Sequence, residues 1–329
     1  METTRDHAWR ALPFVAAMLL TLLIPFSDAQ ALFGRGGAET ASEPGAPIAK
    51  NQEIRAYRGV AYTGTLEAVD NEGGALSFAV TEQPGKGALE LSEEGLFVYT
   101  PGQNKAGKDS FTFTATDEEG HVSAPARVSI RISRTESGVH YSDTDGSAAA
   151  TAAVDLAERG VFVGAKVGDE YFFEPERSVT RGEFITMAMA AAGLEGADVS
   201  VTGFCDDASI PAWARGYAAA ALRSGILRGV STAEGVACRA TDDMTLEQAA
   251  AMLNRILDVT DVDLGIDVEE PAWCAQAVAN LESVSIVPSG GFARAQMQKP
   301  LSRAEAAELL SAAMTLLDAR QSGASGLFS

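Results

Sequence analysis

Three stretches of this 329-residue chain share a pattern in which a Ser or Thr is followed three positions later by Glu or Gln. They read SVTRGEF at residues 178–184, DMTLEQA at residues 243–249 and PLSRAEA at residues 300–306. This spacing is typical of a capping box, in which the hydroxyl accepts from the third helical amide and the longer side chain accepts from the capping residue's amide. The pattern predicts that a helix begins after each of three caps: Thr180 with Glu183, Thr245 with Gln248, and Ser302 with Glu305.

An arginine follows the hydroxyl residue in two of the three copies. These are Arg181 and Arg303, whereas Leu246 occupies this position in the middle copy. A capping box does not require the arginine, because a cation beside a helix N-terminus opposes the helix dipole. The side chain is therefore either solvated surface or a group that holds an anion beside the helix amides.

The three copies belong to a longer internal repeat. Aligning Gly160, Gly225 and Ser285 brings the preceding helical segments into register, with spacings of 65 and then 60 residues. Each repeat therefore reads as helix, loop and helix. Twelve residues before the aligned position stand Ala148, Trp213 and Trp273, and further upstream lie Tyr141-Ser142-Asp143, Phe204-Cys205-Asp206 and, loosely, Leu264 with Asp267.

Units of the form aromatic-x-Asp, Trp-Ala, Gly-Ile or Gly-Val, and Thr-Arg-x-Glu resemble S-layer homology (SLH) domains. The resemblance covers repeats at residues 141–197, 198–260 and 261–318 and implies an all-α, pseudo-threefold module. In that family, grooves bind secondary cell-wall polysaccharide, commonly through a pyruvylated sugar. The resemblance implies polymer contacts by Arg181 and Arg303 through the ketal carboxylate, by Trp213 and Trp273 against sugar, and by the caps Thr180, Glu183, Ser302 and Glu305.

The repeats are unequal in these features. The first copy has Ala148 at the tryptophan position, and the second has Leu246 at the arginine position. The third copy has both Trp273 and Arg303, so we expect a groove that holds an anion clamp together with a stacking surface.

Residues 46–134 have a different pattern of apolar and polar residues. Apolar residues alternate with polar ones, as in Phe111, Phe113 and Ala115 or in Val128, Ile130 and Ile132, and Gly-rich acidic turns separate the runs. This pattern predicts about seven short strands in an antiparallel, all-β sandwich. The order GTLEAVD, LSFAV, GLFVYTP, GKDSFTFTATDEEG and ARVSIRIS resembles bacterial Ig-like (cadherin-like) domains of surface proteins.

Two turns of the sandwich share the form Ala-x-Asp-x-Glu-Gly. Their acidic residues are Asp70 and Glu72 in one turn and Asp117 and Glu119 in the other. Acidic turns at one end of a sandwich can supply the oxygen ligands that calcium requires. They are also ordinary turn formers, because Asp bonds its own backbone and Gly tolerates positive φ.

The remaining segments are short. Residues 1–31 have a charged start, an apolar run and Ala29-Gln30-Ala31, which predicts a cleaved signal peptide and an exported chain. An uncleaved membrane anchor is the alternative, although the run is short for a membrane span. We expect linkers at residues 32–45 and 135–140 and a flexible tail at residues 319–329.

Composition excludes several classes of function. The net charge of −20 argues against nucleic acid as a partner, since that requires basic patches. Only His121 and His140 follow the signal segment, so a histidine-based triad or multi-histidine metal centre is not expected. Of the three cysteines, Cys205 and Cys238 could form one disulfide, or all three, with Cys274, could be buried thiols.

These features predict a secreted, non-enzymatic bacterial surface protein that binds the cell wall through its repeats and displays the Ig-like domain, with no cofactor other than a possible calcium ion. One alternative is a subunit that self-assembles into an S-layer. Another is a wall-bound carbohydrate-active enzyme, although no motif fixes two carboxylates at a working distance.

Overall fold

The computed structural model describes residues 45–71, 73–144, 147–263, 273–287 and 297–326. The predicted signal peptide, most of the first linker, Glu72, Leu264 and Asp267 lie outside the described residues. No described helix is long and apolar enough to cross a membrane.

The first part of the described chain is a two-sheet β-sandwich. One sheet has the strand order β2-β9-β8-β5, and the facing sheet has the order β3-β7-β6. These seven strands match the number expected from the sequence, and a two-residue pair, β1 with β4, lies beside them. The strands are β1 (Ile48–Ala49), β2 (Gln52–Tyr57), β3 (Tyr62–Thr65), β4 (Ala68–Val69), β5 (Ser77–Glu82), β6 (Gly87–Leu91), β7 (Leu96–Pro101), β8 (Gly107–Thr116) and β9 (Ala126–Ser133).

One pairing departs from the expected antiparallel arrangement. β2 and β9 run parallel, with Gln52 opposite Val128 and Tyr57 opposite Ser133. The other pairs of the two large sheets are antiparallel. The first long strand therefore closes the sheet alongside the last one, a long-range pairing that alternation within single strands does not specify.

The sandwich core follows the alternation in the sequence. Phe111, Phe113 and Ala115 on β8 are buried, and so are Val128, Ile130 and Ile132 on β9. Their neighbours along each strand are more exposed. Phe97 and Phe111 meet edge to face, with ring centroids 5.4 Å apart, which joins the two sheets at the centre of the core.

The second part is a helical module built from three helix pairs. Two of its loops carry small hairpins, β10 (Ala165–Val167) with β11 (Glu170–Phe172) and β12 (Val230–Thr232) with β13 (Gly235–Ala237). The helices are α1 (Ala150–Glu158), α2 (Arg181–Ala191), α3 (Ala212–Arg223), α4 (Leu246–Leu257), α5 (Ala275–Ser283) and α6 (Arg303–Gly326). Because α6 continues to Gly326, the prediction of a flexible tail from residue 319 is wrong for the described part of that segment.

The three pairs close into a ring. Just before each second helix, the Val179 amide donates to the Leu301 carbonyl at 2.9 Å, the Leu301 amide to Met244 at 2.7 Å, and the Met244 amide to Val179 at 2.8 Å. Around this ring the first helix of each repeat packs on the second helix of the repeat before it: α3 on α2, α5 on α4, and α1 on α6. We call these contacts the α2–α3, α4–α5 and α6–α1 seams.

The aromatic-x-Asp segments hold the hairpin loops. Both carboxylate oxygens of Asp143 accept backbone amides, from Phe173 at 2.8 Å and Glu174 at 2.7 Å. Asp206 does the same in the second repeat, accepting from Cys238 and Arg239 at 2.7 Å each. Glu174 and Arg239 both have positive φ, which shows that the two repeats turn the chain in the same way.

Neither alternative for the three cysteines holds in full, because Cys205 and Cys238 are not bonded and only two of the thiols are buried. Cys205 is an exposed free thiol, whereas Cys238 and Cys274 are buried free thiols. The Cys205 sulfur lies near the Thr232 hydroxyl, at 3.7 Å, on the hairpin surface. Cys238 belongs instead to the helical core, so the two thiols point into different environments.

Candidate functional site

The capping boxes predicted for α2 and α6 are confirmed. The Glu183 amide donates to the Thr180 hydroxyl at 3.2 Å, and the Thr180 amide donates to the Glu183 carboxylate at 2.9 Å. Ser302 and Glu305 repeat this geometry at 3.2 and 2.7 Å. At α4 the Thr245 amide donates to the Gln248 oxygen at a longer 3.4 Å.

Arg181 is buried and connects the first repeat to the second through hydrogen bonds. Its side chain enters the second repeat, where Nε donates to the Cys238 carbonyl at 3.0 Å and Nη1 donates to the Gln248 oxygen at 2.7 Å. The residue is 5% exposed, and burial lowers the pKa of its guanidinium. The expectation that this arginine is solvated surface is therefore wrong.

Arg303 connects the third repeat to the first in the same way. Its Nη1 donates to the Phe173 carbonyl and, at 3.0 Å, to the Glu174 carboxylate, and its guanidinium lies 5.0 Å from the centre of the Phe162 ring. The residue is 3% exposed. Leu246, at the same position in the second repeat, is also buried. The repeated position thus contacts the next repeat in the two copies that carry arginine.

The helix amides beside these arginines are also occupied. The Arg181 and Gly182 amides donate to the carbonyls of Asp242 and Ala240, each at 2.8 Å. In the third repeat, the Arg303 and Ala304 amides donate to Arg177 and Pro175 at 2.8 and 2.9 Å. The hypothesis of an anion held by free helix amides is therefore wrong at these two helices, because the next repeat already satisfies those donors. Contact of Arg181, Arg303 or the caps with a wall polymer stays a prediction.

Two tryptophans mark the seams at the surface. Trp213 is 54% exposed and Trp273 is 61% exposed, although both precede or begin helices that pack on a neighbouring repeat. Single exposed apolar residues are common, but these two tryptophans occupy equivalent positions of the repeat. The two rings give the module a pair of related aromatic surfaces.

The seams pair residues from different repeats. A methyl group placed on Gly182, at the start of α2, would lie 3.5 Å from the Trp213 ring, so this tryptophan stands over the helix start that carries Arg181. Trp273 precedes α5, which packs on α4, whereas Arg303 begins α6, which packs on α1. Trp273 and Arg303 thus belong to different seams, which contradicts the expectation that they share one groove.

Arg239 is a site residue that the sequence reasoning missed. It adjoins Ala240, which lines the α2–α3 seam beside Gly182, and its half-exposed guanidinium lies 3.8 Å from the Asp242 carboxylate. The first repeat has Glu174 at the equivalent position. The α2–α3 seam thus combines an exposed tryptophan with an exposed cation, whereas the α6–α1 seam has Ala148 and an acidic residue.

The acidic turns of the sandwich lie at the same end of the domain. The Ala75 amide, beside the first turn, donates to the Glu118 carboxylate of the second at 3.4 Å. Asp70 accepts from the Gly74 amide at 2.9 Å, as expected for a turn former. Glu119 is exposed, and within the described residues no cluster of three His, Cys, Asp or Glu side chains could hold a metal ion.

Asp117 forms its hydrogen bonds within its own turn. It accepts from the His121 amide at 2.7 Å and lies 2.9 Å from the His121 ring nitrogen Nδ1. Burial opposes ionisation here, but the bonds to His121 prevail and hold the pKa of this carboxyl below its usual value. Calcium binding by Asp70, Glu72, Asp117 and Glu119 stays a prediction.

A cleft of about 1360 Å³ lies between the sandwich and the helical module. Tyr62 and Phe78 line one wall, and Ile286 and Leu309 line the other. Of its carboxylates, Glu305 caps α6 and Glu308 lies about one turn further along the same helix. Glu308 is exposed at the surface of the cleft, yet desolvation by its surroundings and the nearby charge of Glu305 raise the pKa of its carboxyl.

Comparisons with known proteins bear on the sandwich. Residues 45–134 match the family model described as a bacterial cadherin-like domain, which confirms the predicted resemblance for this part of the chain. No S-layer homology family model matches, so the resemblance of the helical repeats to that family stays a prediction. A search of curated proteins found no match.

Solved structures match over short segments. The endo-fucoidan hydrolase MfFcnA4 from glycoside hydrolase family 107 is 26% identical over 28% of this chain and 14% of its own, with a TM-score of 0.24. Drosophila N-cadherin EC1-4 is 16% identical over 27% and 24%, with a TM-score of 0.23. The SrpA adhesin from Streptococcus sanguinis is 20% identical over 30% and 61%, with a TM-score of 0.24. The chain thus spans less than two thirds of each of these structures.

Proposed function

We propose that this protein is a secreted, non-enzymatic bacterial surface protein whose helical module binds secondary cell-wall polysaccharide, as SLH domains do. The module holds the protein non-covalently at the wall, and the cadherin-like sandwich is its displayed domain. The cadherin-like match at residues 45–134 supports an extracellular surface location.

The observation that carries the proposal is the pair of exposed tryptophans on a closed ring of three helix pairs. A sugar ring presents C–H groups on its face, and an exposed aromatic ring buries that face at little conformational cost. The α2–α3 seam adds the Arg239 guanidinium, which can form charge-assisted hydrogen bonds to a sugar carboxylate. We therefore place the strongest polymer contact at Trp213 and a second at Trp273.

The test measures sedimentation of the chain lacking residues 1–31 with purified bacterial walls. Trp213→Ala should weaken binding about tenfold, the loss of roughly 1.4 kcal/mol, and the double variant with Trp273→Ala should weaken it further. Val167→Ala, which trims another exposed apolar side chain, is the matched control. Walls stripped of their secondary polymer should bind none of the proteins.

Binding that is equal for all variants, or that survives removal of the polymer, would refute the anchor. The alternative of a self-assembling S-layer subunit predicts concentration-dependent two-dimensional arrays in the absence of walls. The enzymatic alternative predicts release of soluble sugars from the walls during the same incubation.

A further inference from the structure

The β-sandwich rests on the α6–α1 seam. Tyr57 and Val60, from the end of β2 and the loop after it, are buried in the hydrophobic core of the helical module. The Thr151 hydroxyl on α1 donates to the Ala61 carbonyl at 3.0 Å. The two parts of the chain therefore share buried surface rather than only a connecting segment.

Asp155 lies at the centre of this contact and is 4% exposed. Its Oδ1 accepts from the Tyr57 hydroxyl at 2.8 Å, and its Oδ2 accepts from the Ser311 hydroxyl on α6 at 2.9 Å. Arg159, one turn along α1, donates to the same carboxylate at 3.3 Å, and Arg55 on β2 lies 4.0 Å away. One carboxylate thus joins β2, α1 and α6.

Of the three repeats, the first alone has a carboxylate at this position. Asp155 stands five residues before Gly160, and the equivalent residues are Ala220 and Asn280. Asn280 is also fully buried, but its partners, Asn254 and Asp261 at 3.1 and 2.9 Å, lie within the helical module. The polar position that binds neighbouring helices in the third repeat therefore binds the sandwich in the first.

The connecting segment is fixed as well. The amides of Glu136 and Ser137 donate to the Glu158 carboxylate at the end of α1, at 2.7 and 3.1 Å. Residues 151, 155 and 158 are three to four positions apart, so they form one stripe along α1 that faces the sandwich and the segment leading out of it. The predicted linker at residues 135–140 is thus held against the helix.

We infer that Asp155 locks the sandwich to the helical module, so that these two parts of the chain keep one fixed relative orientation. A carboxylate with several donors, buried between two parts of a chain, is costly to leave unpaired, so undocking must break the set of contacts together. This inference rests on the contacts alone and stands whether or not the module binds cell walls.

The test is limited trypsin digestion of the chain lacking residues 1–31, with the cut after Arg134 followed by mass spectrometry. Arg134 is exposed but adjoins the segment that Glu158 holds. Cleavage of a transiently open state follows the population of that state. Tyr57→Phe and Asp155→Asn should each speed this cut about tenfold, which corresponds to the loss of one hydrogen bond to a charged group.

The matched control is Tyr99→Phe. The Tyr99 hydroxyl donates to the Asp109 carboxylate at 2.7 Å inside the sandwich, so its loss removes a similar bond away from the docking contact. With circular dichroism showing folded proteins, faster cutting in the Tyr57 and Asp155 variants alone supports the lock. Equal cutting in all the proteins, or an equal rise in Tyr99→Phe, would overturn it.

Discussion

The sandwich core is filled largely by aromatic and β-branched side chains, whereas the helical core mixes alanines with larger side chains. Phe97, Tyr99, Phe111 and Phe113 fill the centre of the sandwich core. The helical core contains many alanines, among them Ala153, Ala188 and Ala249, beside leucine, methionine and phenylalanine. A small side chain buries little area, so the helix contacts that rest on alanine contribute less hydrophobic stabilisation than the aromatic contacts of the sandwich.

The helical module adds polar links between repeats to this packing. Arg181 and Arg303 reach backbone carbonyls of the next repeat, and Asp143 and Asp206 hold the hairpin loops. Apolar contacts are non-directional, whereas directed bonds to particular carbonyls fit one arrangement only. We infer that these buried polar groups define how the three repeats meet in the ring.

The largest expected effect is that of Arg303→Ala. This change leaves the Phe173 carbonyl without its buried donor and opens a cavity beside Phe162, so it should cost about 3–5 kcal/mol of unfolding free energy. Arg181→Ala should behave similarly. Urea unfolding followed by far-ultraviolet circular dichroism measures both.

Arg177→Ala is the control for that comparison, because Arg177 is a half-exposed arginine whose ion pairs lie at the surface. Such pairs contribute only about 0–1 kcal/mol. If Arg303→Ala cost no more than Arg177→Ala, the inter-repeat arginines would not define the ring.

An intermediate effect is expected for Asp143→Ala and Asp206→Ala. Each change removes a carboxylate that accepts two backbone amides, which should cost about 1–3 kcal/mol. The two residues accept from equivalent pairs of backbone amides in their repeats. The losses of unfolding free energy, measured by urea unfolding, should therefore be similar. A large loss in one variant and none in the other would show that the repeats are not energetically equivalent.

The smallest expected effect is that of Glu308→Gln in the cleft. Desolvation in the cleft and the charge of Glu305 raise the pKa of Glu308 in the folded state, so the native protein binds this proton more tightly than the unfolded chain. The ionised form therefore opposes folding, and the penalty grows as the pH rises from the unfolded pKa towards the folded one. Glu308→Gln should raise the melting temperature slightly near neutral pH and not below about pH 4.

Glu195→Gln, at an exposed position in the loop after α2, controls for the loss of one negative charge. A rise in melting temperature equal to that of Glu308→Gln would assign the effect to net charge rather than to the cleft.

The sequence predicts local elements of both regions well. Alternation along β8 and β9 identifies the strands, because each side chain's face depends only on its own position. The capping boxes locate the starts of α2 and α6 for the same reason, since their bonds span three residues. The threefold spacing predicts the three helix pairs.

The partners of the site residues could not be predicted in this way. Arg181 and Arg303 donate to carbonyls, which every residue carries, so nothing in the sequence marks Cys238 or Phe173 as acceptors. The seams join the first helix of one repeat to the second helix of another, so Trp213 meets the start of α2 rather than a residue of its own unit. Arg239 was missed because its place in a seam depends on this exchange between repeats.

The ring of backbone hydrogen bonds at Val179, Met244 and Leu301 also determines when the three repeats can associate during synthesis. Synthesis proceeds from the N-terminus, so the first two units emerge while their outer edges still lack a neighbour. Leu301 accepts from one unit and donates to the other, and it arrives last. The final helix pair therefore completes the ring. A chain truncated before Leu301 would keep the bond between Met244 and Val179 but lack the other two, so its first and second repeats would have no third repeat to join them.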